Sequence, residues 1–241
     1  MKKIVIWIVL IFGLKADYYM AQIEPYQTHS VSTEVGGIVQ KIALDREFSY
    51  IDNRILVVGL DTSDEDIAIS YLSKKVDALK EALELSRNNL KSKANISQTS
   101  KYELNRETLS VLNSKQALIS TEMELQLKKN RKDKKLFYLK DGYLGKIYVD
   151  EFEFVAPGQK LFDYYDFYKS RLDIFVTSDE VDNIRDKRIF INGEETKTWR
   201  VEKVSKVKDS KRISTYQVRL VKENREPKDS RFGEIVKVEF K

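Results

Sequence analysis

The chain has 241 residues, enough for one large domain or two to three small ones with real cores, and 34% of them are charged against about 25% in an average soluble protein. That charge content excludes a bundle of membrane spans, and the absence of Cys excludes disulfides, thiol nucleophiles and acylation at a cysteine. The formal charge of +5 falls to +2 when Lys2, Lys3 and Lys15 of the N-terminal segment are set aside, which removes the concentrated basic face that a nucleic-acid partner needs.

Residues 1–16, "MKKIVIWIVLIFGLKA", have a positive start, an unbroken apolar stretch from Ile4 to Leu14 and a small residue at Ala16. This is the pattern of a signal peptide or a retained N-terminal anchor, and it predicts export of the remainder of the chain. Residues 17–33 read as an extended segment around Pro25 that can add a strand to a neighbouring sheet. His29, the sole histidine, has no partner pattern and reads as an exposed structural residue rather than a catalytic or metal-binding one.

"GIVQKIALDREFSYIDNRILV" at 37–57 shares its grammar with "GYLGKIYVDEFEFVAPGQKLF" at 142–162. A shift of 105 residues places Gly37 on Gly142, Lys41 on Lys146, Ile42 on Ile147, Asp45 on Asp150 and Leu56 on Leu161. Each copy predicts an apolar strand, an acidic turn and further short strands. Such a half has one apolar face and buries too little surface to offset its ordering entropy, so the two copies are expected to pack face to face as one small β-sandwich.

Between Leu60 and Asp141 there is neither Gly nor Pro. Ile69, Leu72, Val76, Leu79, Leu83 and Leu90 follow alternating steps of three and four with Ser86 in one apolar place, the seam of a helical hairpin. A second helix begins after "NISQTS", where Ser100 and Glu103 have capping-box spacing. Its apolar residues form more than one column: Leu104, Val111, Leu118 and Leu125, then Tyr102, Leu109 and Met123, then Leu112 and Ile119. One stripe suffices for a hairpin, so the extra columns predict a further helix as neighbour, such as one from another subunit. The acids of "DTSDEDIAI" at 61–69 fit a first helical turn better than a cation loop.

From Arg171 the pattern returns to strands, "RLDIFVT", "RIFING", "WRVEKVSKV", "TYQVRLV" and "EIVKVEF", with a short helical turn predicted after a Ser178 or Asp179 cap. The sum is an α+β chain of elongated multi-domain type: a split β-sandwich (34–60 and 138–166), an inserted long coiled-coil hairpin (61–137) and a small β-barrel (167–241).

This order resembles that of bacterial periplasmic adaptor proteins, the membrane fusion proteins of the HlyD type. In that family the split module is a lipoyl-like domain, and "GGIVQKIALDREFSYIDNRILVVGLD" with "KDGYLGKIYVDEFEFVAPGQKLFDYYD" look like its halves, while "VTSDEVDNIRDKRIFING" and "SRFGEIVKVEF" are similar to the opening and closing of its barrel. Here the turn that carries a modified Lys in true lipoyl carriers is replaced by the hairpin, which argues against a swinging-arm carrier. The resemblance implies a non-enzymatic protein without cofactor or metal, in the periplasm beside the inner membrane. It implies that the protein bridges an inner-membrane transporter, with the RND type favoured over an ATP-binding-cassette exporter or type I secretion system, to a TolC-like outer-membrane channel, and acts as a ring of six copies. A stand-alone envelope coiled-coil scaffold is the alternative. Family members that dock on TolC-like channels carry Arg, Leu and Ser around the hairpin turn. Leu90 and Ser97 match that pattern, whereas the Arg place is Ser86, with Arg87 one residue late.

Overall fold

The computed structural model describes residues 18–96, 98, 100–212 and 214–241; residues 1–16, expected to be a signal peptide or anchor, lie outside them. In chain order the elements are β1 (Tyr18–Gln22), β2 (Glu24–Ser32), β3 (Gly37–Ile42), β4 (Tyr50–Ile51), β5 (Ile55–Leu60), α1 (Ser63–Ala94) and α2 (Lys101–Asp133). There follow β6 (Leu136–Leu139), β7 (Gly142–Ile147), β8 (Phe154–Val155), β9 (Lys160–Thr177), α3 (Ser178–Val181), β10 (Ile189–Ile191), β11 (Glu194–Thr196), β12 (Arg200–Lys208), β13 (Thr215–Glu223) and β14 (Ile235–Phe240). They form two compact units. One is His29–Tyr164; the other joins Tyr165–Lys241 to the described part of Met1–Thr28.

In the first unit the two sequence copies exchange strands. β3 of the first copy pairs with β8 of the second, Gly37 opposite Val155, and β7 of the second pairs with β4 of the first, Gly142 opposite Ile51. The hydrogen bonds repeat accordingly. The Val39 N–H donates to the Glu153 carbonyl at 2.9 Å and the Leu144 N–H to the Ser49 carbonyl at 2.9 Å. Beyond the turns, the Ala43 N–H donates to the Val57 carbonyl at 2.9 Å and the Tyr148 N–H to the Leu161 carbonyl at 2.8 Å.

These pairs correct the ungapped alignment. The shift is 105 through the first strand but 104 after the turn, because Ala43–Ser49 is one residue longer than Tyr148–Glu153. Val57, not Leu56, is therefore the counterpart of Leu161, and both are fully buried whereas Leu56 is half-buried. The two turns also share a backbone signature: Phe48 and Phe152, at equivalent places, have φ of 57° and 68°, a region that bulky residues rarely enter. Val39, Ile51, Val57, Val58, Leu144, Val155, Leu161 and Phe162 close the core. Both copies contribute to it, so neither has a core of its own.

The hairpin grows from one edge of this core. β5 runs into α1, and α2 returns into β6, which pairs antiparallel with β5 from Ile55 opposite Leu139 to Gly59 opposite Leu136. β6 straddles the position where the sequence pattern ended the hairpin, at 137. His29 differs from its expected exposure: it is half-buried, its ring stacked on Tyr164 with centroids 4.6 Å apart.

The second unit is a strand-built module with its own core, in which Leu172, Ile174 and Val176 of β9 meet Val218 and Leu220 of β13, Val236 and Val238 of β14, and Trp199. β1, from the extended N-terminal segment, pairs with β14, and β10 lies on the other side of β14. The cap of α3 precedes both expected residues: it is Thr177, held extended as the last residue of β9. Among the described residues no helix is long and apolar enough to cross a membrane.

Candidate docking surfaces on the helical hairpin

Both arms begin and end on chemistry that the sequence supplies locally. At the start of α1, Asp61 Oδ1 accepts from the Ser63 N–H at 2.9 Å and from its hydroxyl at 2.6 Å, and these bonds hold its carboxyl below the usual carboxylate range. Asp64, Glu65 and Asp66 occupy the first turn, where the helix dipole favours acids. At the start of α2 the expected capping box is present: Ser100 Oγ accepts from the Glu103 N–H at 3.2 Å and Glu103 Oε2 from the Ser100 N–H at 3.1 Å.

The base of the hairpin is locked by charge. Glu65, only 5% exposed, receives Lys135 Nζ at 2.5 Å and Arg131 Nε at 3.2 Å, and the same Lys135 ammonium donates to the Asp61 carbonyl at 2.8 Å. Lys132 and Asp66 pair at 2.5 Å on the exposed side, which lowers the carboxyl and raises the ammonium through their mutual hydrogen bond. One partner of each pair lies in the first turn of α1 and the other at the end of α2 or just beyond it. The arms are thus clamped where they leave the β module.

Above the base the seam is only half apolar. Leu72, Val76 and Leu83 are buried on α1. Facing them, α2 turns inward one apolar column, Leu104, Val111, Leu118 and Leu125, and one polar column at the same heptad spacing, Glu107, Ser114, Thr121 and Lys128. Two of the polar groups meet partners on α1: Ser114 Oγ lies 3.4 Å from Ser86 Oγ, and Glu107 binds Lys93 Nζ at 2.5 Å. Ser86, the gap in the apolar pattern of α1, is therefore half of a cross-seam hydroxyl pair. Thr121, buried, satisfies its hydroxyl on the Ala117 carbonyl at 3.0 Å.

The apolar residues missing from the seam are on the outside. Tyr102, Leu109, Leu112, Ile119, Met123 and Leu127 are between 47% and 78% exposed, on the far side of α2 from α1. On α1 a second set is open, with Tyr71 and Leu85 both 64% exposed and Ala78 and Ala82 between them. The facing pairs Ser86–Ser114 and Lys93–Glu107 fix the register of the arms. Tyr71, Ala78, Ala82 and Leu85 therefore stand at the same height as Ile119, Met123 and Leu127. Leu109 and Leu112 stand nearer the tip, level with Asn88, Asn89, Lys91 and Ser92, where the open side of α1 is polar, and Tyr102 stands level with the turn beyond Ala94.

Of the three tip residues singled out from sequence, Arg87 is exposed on α1, while Leu90 continues the seam positions of Val76 and Leu83 and is half-buried. Ser97 lies outside the described residues. The distal α2 patch was missed as a unit because its members were read as extra columns without heights; the Ser86 and Ser114 gaps, read together, would have set the register.

No protein-family model matches the sequence, and no curated protein matches it. Solved structures do. The membrane fusion protein Spr0693 from Streptococcus pneumoniae R6 superposes with a TM-score of 0.71 at 11% identity, over 94% of this chain and 99% of that one. A MacA–MexA chimera carrying the Pseudomonas aeruginosa MexA α-hairpin gives 0.66 at 16% identity, covering 94% and 81%, and MacA from Actinobacillus actinomycetemcomitans gives 0.61 at 16%, covering 94% and 79%. The fold is that of the membrane fusion proteins, also called periplasmic adaptors. The split β module with an inserted hairpin and a following strand-built unit is the organisation that this chain shares with them.

Proposed function

We propose that the protein is a periplasmic adaptor, joining an inner-membrane transporter to a TolC-like outer-membrane channel in an export conduit. The observation that carries this reading is the outward apolar surface of the hairpin. A helix whose outer face met only water would be polar there, and covering each of these side chains would contribute roughly 1–2 kcal/mol. The lower half of the α2 stripe has a matching stripe at its own height on α1, which suits a second copy set alongside. A side-by-side ring, of six copies by family resemblance, follows from repeating that contact. The upper half, Tyr102, Leu109 and Leu112, meets no such stripe on α1 of a copy in that register, only Ile96, 58% exposed just past the helix end. It is left for the channel, together with Arg87 and, by resemblance, Leu90 and Ser97 at the turn.

Capture of the full chain from envelope membranes after cross-linking at position 112 tests the bridge. Both an inner-membrane transporter and an outer-membrane channel should be recovered; recovery of neither, in cells that express them, favours a stand-alone scaffold. The transporter we favour is of the RND type, and capture of an ATP-binding-cassette permease would reassign that partner alone. Because Leu90 shares the seam, Leu90→Asp mixes docking with packing, so Arg87→Glu and Leu112→Asp are the cleaner variants. Either should leave the protein folded and exported while lowering channel-dependent resistance to exported compounds, and unchanged resistance in both removes the tip assignment.

A further inference from the structure

The strand-built unit carries a cavity of about 360 Å³ whose walls are out of charge balance. Arg185, Lys187, Arg188, Lys197 and Arg200 line it against a single acid, Glu195. A larger cavity of the same unit, about 700 Å³, is balanced by contrast, with Lys222, Arg225 and Arg231 set against Glu223, Glu226, Asp229 and Glu234. In the smaller one Arg188 is engaged by Glu195 at 3.3 Å, and Arg200 by Glu223 at 3.2 Å. Arg185, Lys187 and Lys197 make no ion pair among the described residues. Like charges gathered in a concavity repel one another, and the low-dielectric wall focuses their field on whatever enters.

The cations stand on a pinned frame. Ile184 and Ile189, 1% and 7% exposed, anchor the segment that bears Arg185, Lys187 and Arg188 at both ends. The Arg188 N–H donates to the Lys241 carbonyl at 2.8 Å, and the Lys241 N–H donates back at 3.0 Å. The cavity also has an apolar side, formed by Ile189, Trp199 and Val201, of which Trp199 belongs to the barrel core. A basic rim over an apolar wall fits a ligand with an anionic head and a greasy neighbour.

We propose that this cavity binds a phosphate-bearing headgroup of an anionic amphiphile, the phosphate on Arg185, Lys187 and Lys197 and the adjoining hydrocarbon against Trp199. The site is independent of the hairpin and of the adaptor reading. It gives the strand-built unit a chemical preference of its own.

Trp7 and Trp199 are the two tryptophans of the chain, so Trp7→Phe in the full chain, held in a neutral detergent, makes Trp199 emission a local reporter. Titration with dihexanoyl phosphatidylglycerol should change that emission saturably, and dihexanoyl phosphatidylcholine should need at least tenfold more. The triple variant Arg185→Gln/Lys187→Gln/Lys197→Gln should weaken the response at least tenfold, whereas Lys74→Gln/Lys75→Gln/Lys80→Gln on α1 should not. Inorganic phosphate separates the sources: competition only at far higher concentration assigns an amphiphile, and equal potency keeps the phosphate site but assigns a free anion. No saturable response, equal response to the neutral lipid, or equal loss in both triple variants would overturn the proposal. Circular dichroism of the variants shows whether a loss reflects the site or the fold; if the first triple variant unfolds, Arg185→Lys and Lys197→Gln singly replace it, and a response unchanged in both overturns the proposal too.

Discussion

Glu65→Ala is expected to be among the most damaging single changes in the hairpin. Glu65 faces Lys135, itself 9% exposed, and truncation leaves that ammonium buried with one carbonyl, that of Asp61, as its remaining partner. Breaking a buried pair in this way costs about 3–5 kcal/mol, whereas the arm to Arg131, a side chain 58% exposed, adds at most about 1 kcal/mol. Against a typical stability of about 5–15 kcal/mol the loss is large. Urea denaturation of the full chain in detergent, followed by circular dichroism at 222 nm, should show a correspondingly lower midpoint with little change in slope. The double replacement Glu65→Leu/Lys135→Met removes both charges together and should recover most of the loss. A cost below about 1 kcal/mol for Glu65→Ala, or no recovery in the double variant, would refute the view that the clamp is a desolvated pair.

Three further outcomes rest on the same geometry. Ser100→Ala deletes one half of the capping box and should cost about 1 kcal/mol, with faster amide exchange at Glu103 and its neighbours. Leu83→Ala empties a buried seam position and should cost about 2–5 kcal/mol, while Leu109→Ala on the open stripe should change monomer stability by less than about 0.5 kcal/mol. Asp163 is pushed up by burial but pulled further down by hydrogen bonds from Lys160, Ser30 and Tyr148, so its carboxyl lies below the ordinary range. A depressed folded value stabilises above the unfolded one, near about pH 4, and that contribution fades as pH falls through the folded value. Asp163→Asn should therefore flatten the stability profile on the acid side, and an unchanged acid limb would count against the network.

What could be read from sequence is what is local or strictly periodic. The Ser100–Glu103 box, the seam through Leu72, Val76 and Leu83, and the duplicated grammar around Gly37 and Gly142 all depend on neighbours within a few turns or on repetition. The exchange of strands was hidden because copies stacked on each other and copies traded between sheets need the same apolar residues. Only hydrogen bonds such as Val39 to Glu153 separate the two arrangements. The one-residue gap was hidden because Leu56 and Leu161 are the same residue type, and identity outweighed the burial that assigns Val57 instead. Lys135 looked like one more cation in "RKDKK" until the end of α2 carried it over Glu65. Of the docking surfaces, the columns were visible but not their heights, which depend on pairings between two helices joined by a polar turn.

Strand exchange also sets a timetable for the newborn chain. Synthesis runs from the N-terminus, and β3 cannot acquire its partner β8 until more than a hundred further residues have been added, on the order of ten seconds at about 5–20 residues per second. For most of that interval, until β6 emerges, "ILVVGL" of β5, apolar, β-prone and uncharged, has β3 beside it but neither β6 nor the second copy to cover it. A nascent-chain chaperone would find its target there, and a ribosome stalled inside α2 would release a fragment disposed to aggregate.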